Sequence, residues 1–175
     1  MNLNLNYLKS PSPLLHLFSP TIEKIQFIAN KFATGFLYIP DELRTPEKIA
    51  SLMLHLFPYG VEPALRPFHV YYEIGRFDGL IGFTNIMPEY KCGVLFKIWN
   101  PTIWGATLAR GLAELTDRFM QEYHIKRMEV ETVDERMVKM GKICGFKQEG
   151  TKAMGFRFDG KFYTAFMLRK IRRED

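Results

Sequence analysis

The sequence is short of cysteine. Cys92 and Cys144 are the only two, and no Cys-x-x-Cys pair occurs. A disulfide scaffold is therefore excluded, and a reducing compartment fits. There is no run of 18 apolar residues, so no membrane-spanning helix is expected. Residues 1–18 lack a basic start and a continuous apolar core, so no secretory signal is expected and the chain reads as cytoplasmic. Metal ligands are sparse: His16, His55, His69 and His124 show no ligand spacing with either cysteine. Serine is scarce as well, and Ser10, Ser12, Ser19 and Ser51 sit in no nucleophile-elbow pattern. Gly155-x-x-x-x-Gly160-Lys161 imitates a phosphate loop. It lacks the following Ser or Thr and falls on a hairpin turn, so it is set aside.

What the chain does have is apolar and aromatic. It is 175 residues long, 47% hydrophobic, with 15 Phe and 8 Tyr. That length suits one domain over residues 1–175, with roughly 70% of its unfolded surface buried. The net charge is +5 and the pI about 9.2. A basic balance favours an anionic partner such as a nucleotide-like cofactor, RNA or an acidic surface. Much of the excess sits at Arg169, Lys170, Arg172 and Arg173, and reads equally as a solvated end. Aromatics and basics interleave at 156–163, which could stack on nucleic acid. A half-buried hairpin explains that alternation as well, so a nucleic-acid partner has no further support.

The most informative stretch is 92–122. Residues 94–99 read as a buried strand, 100–104 as a loop with Pro101 stopping the ladder, and the rest as an amphipathic helix. Trp104, Leu108, Leu112, Leu115 and Phe119 form its apolar stripe. Gly105 and Ala106 leave the first-turn N–H groups uncovered, where a helix start can hold a pyrophosphate. Taken alone, the segment also reads as an ordinary strand-turn-helix.

The remaining elements follow in order. Residues 1–13 form an N-terminal arm and 14–18 a short strand. Ser19 or Thr21 caps a helix starting at Pro20, with Ile22, Ile25, Ile28 and Phe32 inward. A loop over 33–44 leads to a second helix at Thr45-Pro46-Glu47, and prolines break the chain at 58, 63 and 67. Strands 70–77 and 80–86 flank an Asp78-Gly79 turn. Strand 90–99 precedes the long helix, and strand 126–133 follows it. Asp134 caps a short helix that places Met137, Met140 or Gly141, and Cys144 inward and ends at Gly145. Strands 146–158 and 161–169 join at Asp159-Gly160. This order predicts an α+β fold, a mixed, mostly antiparallel sheet of six to seven strands with about four helices.

With these residues, that order resembles the GNAT superfamily of acetyl-CoA-dependent N-acyltransferases, best over 69–170. FDGLIGFTNI resembles the hairpin before the cofactor strand. NPTIWGATLARGL resembles the cofactor loop, MVKMGKICGF the helix ending in Leu-Gly-Phe, and EGTKAMGFRFDGKFYTAFMLRK the closing hairpin of the ribosomal-protein N-terminal acetyltransferase branch. The resemblance implies acetyl-CoA as cofactor and direct transfer of its acetyl group to a primary amine on a protein or small molecule. It implies pantetheine along Phe96, Lys97, Ile98 and Trp99. The pyrophosphate would sit on the amides of Trp104, Gly105, Ala106, Thr107, Leu108 and Ala109, with Asp134 and Met137 nearby. A backbone N–H near Ile98 would polarise the thioester. Glu131 and Glu73 are the candidate bases and Tyr90 and Tyr123 the candidate acids, though each reads also as a solvated carboxylate or a packing aromatic. Lys97 could contact a phosphate or an acidic partner.

The chain departs from the family pattern at named places. Trp104 stands where the loop has a basic residue and Thr107 where it has glycine. Gly141 stands for the usual acidic Tyr, Asp134 for an Asn and Met137 for a Ser. A second reading therefore stays open: a GNAT-fold binding or structural protein that has lost its chemistry, of the phage kind. Monomer and homodimer are both expected possibilities, and no membrane partner is.

Overall fold

A computed structural model describes residues 13–35, 41–56 and 69–172. Most of the N-terminal arm and the proline-rich segment around 58–67 lie outside the described residues. The elements are β1 (Leu15–Leu17), α1 (Ile22–Gly35), α2 (Pro46–Leu56), β2 (His69–Ile74), β3 (Gly79–Met87), β4 (Lys91–Ile98), α3 (Ala106–Glu122), β5 (Arg127–Thr132), α4 (Glu135–Ile143), β6 (Lys147–Phe158) and β7 (Lys161–Ile171). Short 3-10 turns occupy Asp41–Leu43 and Pro101–Ile103. The seven strands form one sheet in the order β1-β2-β3-β4-β5-β7-β6, antiparallel at every resolved pairing except β4 with β5. The expected α+β class and element count are what the chain adopts. Among the described residues no helix is long and apolar enough to cross a membrane.

By internal contacts the described chain divides into two compact units. One holds 13–18, 69–150 and 166–172, the other 19–35, 41–56 and 151–165. The core of the first is built by period-two and period-3.6 patterning together. Tyr72, Ile81, Phe83, Cys92 and Met128 from the sheet meet Leu108, Leu112, Leu115 and Phe119 from α3 and Val138 and Met140 from α4. Phe83 stacks on Phe119 with ring centroids 3.8 Å apart, and Tyr123 stacks on Phe119 at 4.4 Å. The second unit buries Ile25, Ile28, Ala29 and Phe32 of α1 and Ile49 of α2.

Three boundaries differ from expectation. Helix α1 begins at Ile22, because the Thr21 hydroxyl accepts the Lys24 N–H at 3.2 Å and so makes Thr21 the cap. It runs on to Gly35, into the expected loop. The β2–β3 connection is the four residues 75–78 rather than Asp78-Gly79. Gly75 and Phe77 adopt positive φ there, and the Asp78 carboxylate accepts the Arg76 N–H at 3.2 Å. The other hairpin forms as expected, with Asp159 and Gly160 at φ 49° and 69°. Gly145 ends α4 at φ 86°.

Phe83 is fully buried and lies face to face with Phe119. Phe83→Ala is expected to cost about 3–5 kcal/mol in urea unfolding. A loss under about 1 kcal/mol would show that this stack does not support the core.

Candidate functional site

Strands β4 and β5 pair at only three positions, Lys91 with Arg127, Cys92 with Met128 and Gly93 with Glu129. Beyond Gly93 each strand keeps its outer neighbour. β4 stays on β3 as far as Ile98–Gly79, and β5 stays on β7 as far as Thr132–Phe166. The two inner edges therefore part into a fork. The Trp99 N–H bonds the Asp78 carbonyl at 3.1 Å on the β3 side. By alternation, the amides of Val94, Phe96 and Ile98 face the fork. The closed end carries charge pairs: Lys91 reaches Glu129 at 3.2 Å, Arg127 reaches Glu129 at 2.7 Å, and Glu149 takes both Arg127 and Arg169. These groups are partly solvated, so each pair contributes roughly 0.2–1 kcal/mol.

The open end of β4 is fixed by Asn100. Its side-chain amide donates to the Asp78 carboxylate at 2.7 Å, and its carbonyl oxygen accepts from the Thr102 N–H at 3.1 Å. That clamp starts the Pro101–Ile103 turn and delivers Trp104, whose ring meets Phe96 edge-on at 6.1 Å. Gly105 is the helix cap residue. It is extended, offers no side chain to the first turn, and a methyl placed on it would meet nothing within 4 Å. No acidic residue occupies the first turn of α3. The dipole end therefore stands uncancelled beside the fork.

Not every expected amide is open. The Ala109 N–H already bonds the Gly105 carbonyl at 3.0 Å, and the Trp104 N–H bonds the Pro101 carbonyl at 3.3 Å. The amides of Ala106, Thr107 and Leu108 remain without a partner inside the helix. The Leu108 and Ala109 side chains are buried in the core, while Ala106 and Thr107 are exposed.

Asp134 caps α4, accepting the Arg136 N–H at 2.8 Å. The Arg136 guanidinium also grips its carboxylate, at 3.1 and 2.8 Å, and holds it below the usual carboxylate range, with Lys97 adding to the effect. The same guanidinium lies 5.9 Å from the Trp104 ring. The negative charge that Asp134 brings is thus neutralised in place. Arg136 was not legible as a site residue. The only trace of it is a cation two positions after a cap aspartate. Asn100 and Asp78 were missed too, the latter because it read as a turn residue.

The three charged candidates share a sheet face. Glu73 pairs with Leu80, and Leu80 with Lys97, so Glu73 and Lys97 lie two strands apart, about 9–10 Å. Glu131 lies two residues beyond the last β4–β5 pair, with the same parity as Lys97, on the opposite arm of the fork. Val94, Phe96, Ile98 and Val130 point to the other face, against α3 and α4. Burial lowers the Lys97 pKa, so its ammonium gives up a proton more readily than usual. Tyr90 stands apart. It is exposed in the turn before β4, seven residues or about 23 Å from Lys97, and its carbonyl accepts from Lys126 and Arg127 at the closed end. Tyr123 is buried, and its hydroxyl is pushed up to about 12 by burial. Cys144 and Cys92 are buried free thiols, raised to about 11 and about 12. Met137 is half-buried on the α4 face toward the fork. Among the described residues no group of three or more His, Cys, Asp or Glu could hold a metal.

Several solved structures that share this fold are acetyltransferases. Residues covering 91% of this chain superpose on 95% of the ribosomal L7/L12 alpha-N-protein acetyltransferase RimL, in complex with coenzyme A, at TM-score 0.69 and 14% identity. The microcin C7 self-immunity acetyltransferase MccE, in complex with acetyl-CoA and AMP, matches at TM-score 0.66 and 14% identity, covering 92% of this chain and 94% of that one. The ribosomal-protein-S5-alanine acetyltransferase of Vibrio fischeri matches at TM-score 0.67 and 16% identity, covering 90% and 91%. The chain has the GNAT fold. No family model matches it, and no curated protein matches it by sequence.

Asp134 ionises more readily folded than unfolded. Its charge therefore stabilises the fold above its unfolded value near 3.9, and that gain is lost as pH falls through the lower folded value. Asp134→Asn keeps a capping side chain and removes only the charge. The wild type should be the more stable by up to about 1 kcal/mol at pH 7, and the difference should shrink as pH falls through the lowered folded value. An unchanged difference across urea curves from pH 7 to 3 would assign the effect to capping geometry instead.

Proposed function

We propose that the protein is an N-acetyltransferase that moves an acetyl group from acetyl-CoA to a primary amine by direct attack. The observation that carries this reading is the fork. Three amides on its inner edge, those of Val94, Phe96 and Ile98, lie beside an uncapped helix start in the same unit. RimL and MccE, structures of the same fold, are described in complex with coenzyme A and acetyl-CoA respectively.

The residues fit that cosubstrate. Pantetheine carries amides that can add as a strand to the β4 edge, which otherwise has only water to bond. The amides of Ala106, Thr107 and Leu108 suit the pyrophosphate, since the approach is by backbone and the exposed side chains there are small. Arg136 leaves Asp134 without a repulsive net charge toward it. The Ile98 N–H, fixed in the sheet, is the donor for the thioester oxygen as charge develops there. On the opposite face Glu131 is the base. The amine nitrogen bonds the acyl carbon as the carbon–sulfur bond breaks, the amine proton passes to Glu131, and the thiolate leaves to be protonated by solvent. Lys97, whose pKa burial lowers, stands on the same sheet face across the fork and lines the amine's approach. The acceptor class is a primary amine, at a protein N-terminus or on a small molecule. The free, buried thiols suit a reducing compartment, and we place the protein in the cytoplasm.

Calorimetric titration with acetyl-CoA tests the reading, and absence of binding at millimolar cosubstrate would sink it. With a panel of amines and a thiol-release assay, Glu131→Gln is expected to lower kcat at least tenfold while the KM for acetyl-CoA stays within about twofold. Equal loss from Glu73→Gln and none from Glu131→Gln would move the base to β2.

A further inference from the structure

Lys97 stands one residue before Ile98, whose amide is the donor for the thioester oxygen. Its side chain leaves β4 on the sheet face from which the amine approaches, the face that also carries Glu131 across the fork. Its neighbours there are apolar. Leu80 of β3 pairs with it and is buried, and Leu95 precedes it by two residues on β4. The Lys97 side chain is half-buried as a result, and burial disfavours its ammonium form. Asp134 and Arg136 act on that charge in opposite directions and so offset one another. A neutral primary amine is therefore easier to reach at Lys97 than at an exposed lysine, and a primary amine is the class of group that the proposed reaction acylates.

We infer that Lys97 is itself an acceptor: with acetyl-CoA bound and no other amine in place, the chain transfers the acetyl group to its own Lys97 Nζ. The inference rests on the acetyl-transfer reading and adds a modification site to it. A thioester oxygen bonded to the Ile98 N–H stands about 2.9 Å from that nitrogen, with the acyl carbon one bond further out. The Lys97 stem is four carbons long and springs from the adjacent residue, so its nitrogen can fold back over the edge of β4 toward that carbon. Attack needs a separation of about 3–3.5 Å, and a tethered nucleophile meets it at high effective concentration. The ammonium first loses a proton to solvent. The Nζ lone pair then bonds the acyl carbon, the carbon–sulfur bond breaks, and CoA leaves as the thiolate, which solvent protonates. The second nitrogen proton passes to Glu131 and on to solvent. The product amide is uncharged and lies in the amine's approach.

The test is incubation of the full chain with acetyl-CoA and no amine, followed by intact mass and peptide mapping. Lys139, Lys142 and Lys147 are exposed and report the spontaneous background. Lys97 should be acetylated about tenfold faster than any of these, and the intact mass should stop at one acetyl group on that time scale. Lys97→Arg should remove the gain, and the wild-type mapping decides the matter even where that variant does not fold. In urea the four lysines should label alike, and a preference for Lys97 that survives unfolding overturns the inference. Labelling of Lys97 no faster than the exposed lysines, with acetyl-CoA bound by calorimetry, overturns self-acetylation and leaves transfer to free amines standing. Failure of acetyl-CoA to bind at millimolar concentration overturns both.

Discussion

The site depends on one short ladder. Three parallel pairings join β4 to β5, and both strands then separate while each remains bonded on its outer side. Separation is inexpensive because no outer hydrogen bond is broken. Its consequence is a pair of inner edges whose amides must find water or a ligand, since a buried backbone group without a partner costs about 1–3 kcal/mol. The arms are kept apart from below. Phe96 leans on Trp104, Val94 and Val130 border a cavity, and Met137 stands beneath the gap. The Lys91–Glu129 pair and the three pairings hold the arms together only at the closed end. The chain thus spends its β4–β5 pairing where the core needs it and withholds it where a ligand could take its place.

A second constraint fixes where the helix start stands. Asn100 is bonded to Asp78 through both backbone and side chain, so the end of β4 is tied to the β2–β3 turn. That tie couples the turn at 75–78 to the loop that leads into α3. Trp99 adds to it by donating its indole N–H to the Phe77 carbonyl and meeting the Phe77 ring edge-on at 5.0 Å. The result is a fixed approach to Gly105, behind which the amides of Ala106, Thr107 and Leu108 have no partner inside the helix.

Much of the fold was legible, for physical reasons. The α3 stripe of Leu108, Leu112, Leu115 and Phe119 is buried as its spacing requires, and Gly145 and Asp159-Gly160 take the left-handed conformations their chemistry favours. The β2–β3 turn was not legible, and its effect reaches the site. A two-residue Asp78-Gly79 turn would set Phe77 opposite Leu80 and so Glu73 opposite Thr84, beside Gly93 at the closed end. The four-residue turn sets Glu73 opposite Leu80 and in line with Lys97 at the open end. Register is a two-residue-period property with no mark in composition, and it was the turn length that decided it. Likewise Tyr90 and Lys97 sit on one strand in the sequence, yet about 23 Å of extended chain separates them. The fork itself leaves no sequence signal, because Val94 and Val130 would suit a continuous ladder equally well.

The departures at Trp104 and Thr107 look like losses when the loop is compared letter by letter, but the geometry distributes the duties differently. A phosphate cradle is made of N–H groups, and those of Ala106, Thr107 and Leu108 are open whatever the side chains. A cation beside it need not come from the loop. Arg136, from the start of α4, sits over the Trp104 ring within 5.9 Å, so the tryptophan in the basic position carries a guanidinium on its face. That guanidinium also offsets the charge of Asp134, since it engages the carboxylate through two nitrogens. Trp104, Asp134 and Arg136 are therefore one unit rather than three separate departures. Replacing the aspartate would leave the guanidinium only the Trp104 ring, and replacing the tryptophan only the carboxylate.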